Sequence, residues 1–147
     1  MTMLKRILLV LVILVVVAQF IRPARTNPPV DPAKRLTMPA NVQAIFDRSC
    51  RDCHSNETRW PWYTNISPLS WWLVNHVNEG RRELNASVFA TYTAKKQSRK
   101  LEEVCDQVQH GDMPIGSYTL VHRQAKLSPA DVQTLCTWSE QSRSPAR

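Results

Sequence analysis

Glycine is scarce in this chain: three residues in 147, none of them in an Asn-Gly, Asp-Gly or Gly-Gly pair. Two-residue β-hairpins need such pairs for their positive φ angles, so the sequence carries no hairpin signal. Strand–helix–strand alternation is missing too, which removes the setting of a thioredoxin-like redox pair. Cysteine is confined to Cys50, Cys53, Cys105 and Cys136. None directly follows the apolar run at the N-terminus, which argues against a lipid anchor. No second ligand pair stands at finger-like spacing, which argues against a structural zinc site. What remains is an all-α reading with long loops.

The cysteines that are present carry the most information. Cys50-Arg51-Asp52-Cys53-His54 spells C-x-x-C-H, the attachment signature of c-type haem. Two thiols add across the two porphyrin vinyl groups and become thioethers. A two-residue spacer on a helical turn sets the sulfurs at the vinyl separation, and the adjoining histidine is carried under the iron as proximal ligand. The sequence therefore predicts one covalently attached haem c, with Cys50 and Cys53 as its thioethers and His54 as an iron ligand.

Lys5-Arg6 precedes an unbroken apolar run, Ile7–Ala18, which Gln19, Phe20 and Ile21 extend. A charged start and an apolar stretch mark an exported chain. Val16-Val17-Ala18 fits a cleavage site, which would leave a soluble periplasmic protein. The preferred expectation is an uncleaved anchor at 1–22, a single transmembrane helix placing the haem domain in the periplasm of a bacterial inner membrane. Fifteen helical residues span only about 22 Å against a core of roughly 30 Å, so Met3 and Leu4 and snorkelling Lys5, Arg6 and Arg22 would have to supply the remainder. Covalent haem maturation on the oxidising side of the membrane points the same way. Residues 23–38, with four prolines, read as an extended linker, 39–142 as the haem domain and 143–147 as a disordered tail. The net charge of +7 is most simply a solvated surface. It also suits acidic redox partners or anionic headgroups, while export argues against nucleic acid.

Apolar spacing predicts a helix over Asn41–Ser49 with Val42, Ile45 and Phe46 inward, running straight into Cys50. Ser67 and Pro68 read as the cap and first position of a second helix bearing Leu69, Trp72, Leu73, His76 and Val77, with Gly80 and Leu84 continuing the stripe. A third helix is expected over Ser98–Gln109, ended by Gly111, and a last one is opened by Ser128 and Pro129. Such a core is small, and a large flat apolar group would enlarge it. Cys105 and Cys136 fall on apolar faces, leaving open a disulfide or two separate buried thiols. Trp60, Trp62, Trp71 and Trp72 are dense enough to pack a cofactor.

The sixth iron position decides between electron carriage and small-molecule chemistry. Met113, in an irregular loop after Gly111 and stiffened by Pro114, is the preferred distal ligand. His76, on an apolar stripe, is the alternative, and Met38 stands too near the linker. His110, His122, Arg81 and Arg82 are candidate partners for haem propionates. No Arg/His distal pair supports a peroxidase-like enzyme, and no output domain supports a haem-based sensor.

Together these motifs resemble a class I cytochrome c. More narrowly, Cys50–His54 followed by Ser55-Asn56-Glu57-Thr58-Arg59-Trp60-Pro61-Trp62-Tyr63, with Trp71–Val77, Gly111-Asp112-Met113-Pro114 and Ser117-Tyr118-Thr119, is similar to the bacterial haem-binding domain family. The resemblance covers about residues 39–140. It implies a small membrane-anchored protein with a cytochrome c-like helical fold around one covalent haem, and it names no substrate. Cys105 and Cys136 lie outside that pattern. The resulting expectation is a one-electron carrier rather than an enzyme.

Overall fold

The computed structural model describes residues 2–143; the predicted disordered tail lies, from residue 144 on, outside them. Seven α-helices are described: α1 (Met3–Ala18), α2 (Ala40–Ser49), α3 (Arg51–His54), α4 (Leu69–Glu83), α5 (Ala94–His110), α6 (Gly116–Val121) and α7 (Pro129–Ser142). Short 3₁₀ turns punctuate the connections, and no strand occurs among the described residues.

The core forms where α2, α5 and α7 meet. Val42 and Ile45 of α2, Leu101 and Val108 of α5, and Leu135 and Trp138 of α7 close on one another, with Phe89 filling between. Burying each large apolar side chain contributes roughly 1.5–3 kcal/mol. Cys105 and Cys136 are joined as a disulfide that fastens α5 to α7. The helix ends follow from the local sequence. Gly111 closes α5 at φ 76°, a left-handed conformation that glycine adopts without steric cost. Ser128 and Asp131 form a reciprocal capping box at α7, with Pro129 in the first turn. Asp131 also pairs with Arg48 at 2.9 Å, tying α7 to α2. The start of α4 differs from expectation. Ser67 does not cap it; its hydroxyl meets Ser70 Oγ and the Ile21 carbonyl instead.

The N-terminal segment requires a correction. Among the described residues no helix is long and apolar enough to cross a membrane. A single transmembrane helix, and with it a single-pass inner-membrane protein with a periplasmic haem domain, is therefore not supported. At 16 residues α1 spans about 24 Å. Met3, Leu4, Lys5 and Arg6, expected to help make up the length, already lie within it, and Gln19 and Ile21, which extend the apolar run, lie beyond its end and are held by the domain. The Gln19 side chain donates to the Ser67 carbonyl and accepts from the Ser67 amide. The Ile21 carbonyl accepts from Trp71 Nε1 at 2.6 Å. The following segment, expected as an extended linker, runs along the domain. Arg25 donates to Thr64, Asn27 to the Thr58 carbonyl, and the Leu36 amide to the Ala86 carbonyl.

Candidate cofactor site

The C-x-x-C-H segment is a single helical turn carried on from α2. Cys50 stands between the helices, and its carbonyl accepts from the amides of Cys53 (3.2 Å) and His54 (2.9 Å). This closes the turn that sets both sulfurs and the imidazole on one short element. Cys50 and Cys53 are free thiols. Desolvation pushes Cys50 up to about 12 and Cys53 up to about 11. Both therefore stay protonated near neutrality, whereas a disulfide-exchange pair needs a thiolate of lowered pKa.

His54 is fixed by the element behind it. Its Nδ1 lies 3.1 Å from the Leu84 carbonyl. A carbonyl only accepts, so Nδ1 carries the hydrogen and Nε2 keeps its lone pair, the arrangement a metal-binding imidazole uses. Burial lowers the His54 pKa, which favours that neutral form. The His54 carbonyl is held in turn by the Ala86 amide at 2.8 Å. α4 lies directly on the turn. A Cβ at Gly80 would stand 2.7 Å from the Cys53 carbonyl oxygen, closer than real contacts allow. Gly80 belongs to the apolar stripe legible in sequence; that it must lack a side chain emerges from the packing.

Three cavities surround this turn. One of about 420 Å³ is bounded by Phe46, Cys50, His54, Leu84, Lys100 and Met113. A second of about 300 Å³ shares Cys50, His54 and Met113 and adds Cys53, His76 and Tyr118. The third, about 190 Å³, opens beside Cys53 among Trp60, Tyr63, Trp72, Tyr118 and His122. Cys50, Cys53, His54 and Met113, separated by as much as 63 positions, are thus brought to one hollow. Met38 is packed against the α2–α5–α7 core and away from these three cavities.

His76 borders the hollow as well. Its Nδ1 faces the Trp72 carbonyl at 2.9 Å, and its ring lies against Trp72.

The walls fit a large, mostly apolar prosthetic group such as haem. Ser49, on the wall common to the two larger cavities, is 4% exposed, and its hydroxyl has no protein partner. Trp60 Nε1, beside Cys53, is likewise buried and unpartnered. Among the described residues no group of three or more His, Cys, Asp or Glu side chains could hold a bare metal ion. A porphyrin supplies four nitrogens of its own and asks only axial ligands of the protein.

The residues expected to meet propionates are placed differently. Arg81 is taken up by the domain and by the segment at 23–38 that runs along it: it donates to the Ser55 and Thr26 carbonyls, Asn27 Oδ1 and Thr58 Oγ1. Arg82 is exposed beside Glu79. His110 is exposed with Nδ1 on the Asp106 carbonyl. His122 is half-buried and bonded to Tyr63. For several contributors the sequence carried no sign of their partners. Lys100 is only 6% exposed on the cavity wall, between Glu83 at 2.9 Å and Glu103 at 2.5 Å. Tyr118 donates to Asp52 Oδ2 at 2.8 Å, and Asp52 also accepts from Arg59. Charge and aromatic density hinted at such residues, but nothing local pairs positions 66 apart in sequence.

These features define a small all-α domain built to enclose a large group beside a C-x-x-C-H turn. The chain matches the model of the haem-binding domain family over residues 13–141, and it belongs to that family. It is accordingly a haem protein. Neither the curated proteins nor the solved structures contain a match to it.

Proposed function

We propose that the protein is a monohaem c-type cytochrome that passes single electrons. Cys50 and Cys53 hold the haem as thioethers, His54 is the proximal ligand through Nε2, and Met113 is the distal ligand. The observation that carries this reading is the gathering of both thiols, the Nδ1-anchored imidazole and the one suitably placed thioether around a single hollow. The haem supplies the redox chemistry. The chain supplies the ligands, excludes water with Phe46, Leu84 and Tyr118, and holds the His54 proton on Nδ1 against Leu84. A neutral thioether favours ferrous over ferric iron and raises the potential. The basic surface suits an acidic redox partner, and an oxidising compartment agrees with the Cys105–Cys136 disulfide.

His76 borders the same hollow and gives the alternative distal ligand. Optical spectra of the oxidised protein decide between them. The Met–iron charge-transfer band is expected in the wild type, absent in Met113→Ala and retained in His76→Ala. Rapid cyanide binding to the wild type without denaturant would sink the carrier reading in favour of a haem enzyme or ligand sensor with an open sixth site.

A further inference from the structure

A row of aromatic side chains leads from the hollow to solvent. Tyr118 borders both the cavity with Cys50, His54 and Met113 and the smaller one beside Cys53. Its ring stacks on His122 with centroids 4.5 Å apart. His122 Nε2 lies 2.8 Å from the Tyr63 hydroxyl. Tyr63 meets Trp62 edge-on at 5.9 Å, and Trp62 is 75% exposed.

The three tyrosines differ in where their hydroxyls point. Tyr118 donates to the Asp52 carboxylate, which Arg59 also engages. Tyr92 accepts from the Asn85 amide, away from the hollow. Tyr63 alone has its hydroxyl at hydrogen-bond distance from an imidazole nitrogen. A phenol gives up an electron readily only when its proton leaves at the same time. Burial, with Asp52 nearby, holds the Tyr63 pKa above its ordinary value, so that proton does not leave to water unaided. A neutral imidazole nitrogen at hydrogen-bond distance is a suitable acceptor.

We propose that Tyr63 is a redox-active tyrosine that draws oxidising equivalents off the haem, with His122 as its proton acceptor. The inference rests on the haem reading above. The oxidant is hydrogen peroxide, which reaches the haem when Met113, the ligand on the short loop, gives way; it takes two electrons from the haem and two protons from solvent and leaves as two waters. Tyr63 returns one electron by way of His122 and Tyr118, and its phenolic proton crosses to His122 Nε2. The products are a neutral phenoxyl radical, an imidazolium and a haem one electron less oxidised. A small one-electron reductant such as ascorbate restores the phenol, the proton coming back from His122, and a second turn of the pair returns the other electron to the haem. The pair thereby protects the haem from oxidative destruction.

The test is electron paramagnetic resonance of the full haem-loaded chain, frozen shortly after peroxide is added, with haem bleaching followed in parallel. A tyrosyl signal is expected in the wild type and in Tyr92→Phe. Tyr63→Phe should lower it by about tenfold or more and speed bleaching, and His122→Phe, which removes the base but keeps a ring, should do the same. An undiminished signal or unchanged bleaching in haem-loaded Tyr63→Phe overturns the proposal. Fluorotyrosine at position 63 is nearly isosteric and guards against misfolding: the signal must acquire fluorine splitting, and an unsplit signal overturns the proposal. Covalent haem content is measured first by denatured mass. Its absence from the wild type overturns the haem reading itself, whereas its presence with a signal indifferent to position 63 overturns only the radical site.

Discussion

On the histidine side of the hollow, support comes from far along the chain. Leu84 receives the His54 ring, Ala86 holds its carbonyl, Gly80 presses against Cys53, and Arg81 grips the Ser55 carbonyl. On the methionine side, support is local. The amides of Asp112 and Met113 both return to the Gln107 carbonyl of the preceding helix, at 3.0 and 3.2 Å. Gly111 then turns the chain, and α6 begins at Gly116. Tyr118 provides a tie back to the histidine side through Asp52. A ligand fixed by long-range packing is held before the cofactor arrives, while one on a short loop takes its final position against the cofactor. On the proposed reading, the difference means that attachment and proximal ligation would be built into the fold, and distal ligation would be the exchangeable end.

The largest expected break is at the thiols. Cys50→Ser with Cys53→Ser should abolish covalent haem, read as the missing mass increment after denaturation; haem retained covalently would refute the attachment chemistry. Next comes the link between α5 and α7. Replacing Cys105 and Cys136 by alanine opens a loop spanning 31 positions and should cost about 3–4 kcal/mol on the chain-entropy model, read from denaturant unfolding. Gly80→Ala should cost roughly 1–3 kcal/mol by overpacking against the Cys53 backbone and should lower haem yield. Gly111→Ala meets open space, so only its left-handed backbone is strained, at about 1 kcal/mol. It should disturb the distal-ligand band more than haem attachment. If Gly111→Ala impaired attachment more than Gly80→Ala, the contrast between the two sides would fail.

The smallest effect concerns pH. Asp131 is held below the usual carboxylate range by the Ser128 amide, with help from the Ser128 hydroxyl and Arg48. A depressed carboxylate contributes stability that is full above its unfolded pKa, about 3.9, and is lost as pH falls through the lower folded value. Asp131→Asn should therefore cost on the order of 1 kcal/mol at neutral pH and almost nothing in strong acid. A difference that persisted at the acid end would exclude the charge as its cause.

Much of the fold was legible because its signals are local. Val42, Ile45 and Phe46 repeat at helical spacing, Gly111 stands where α5 must stop, and Ser128-Pro129 opens α7. α6 went unread, having only six residues and no stripe long enough to show a period. The N-terminal helix was overread, because hydropathy alone cannot show Ser67 and Trp71 capturing Gln19 and Ile21 from across the sequence. Arg81 is one of four propionate candidates by charge and position, yet its guanidinium is spent on carbonyls and side-chain oxygens that only the folded chain assembles.

By itself the sequence determined the all-helical class and the C-x-x-C-H turn, because both depend on spacing within a few residues. It also narrowed the thioether candidates to Met38 and Met113. Tertiary structure decided that Met113 shares a hollow with His54 while Met38 packs against the core, that Cys105 meets Cys136, and that Gly80 must be bare. The physical reason is the same in each case. Periodicity and capping are written along the chain, whereas cavity walls, helix approach and the partner of a polar group depend on which distant segments come to lie side by side.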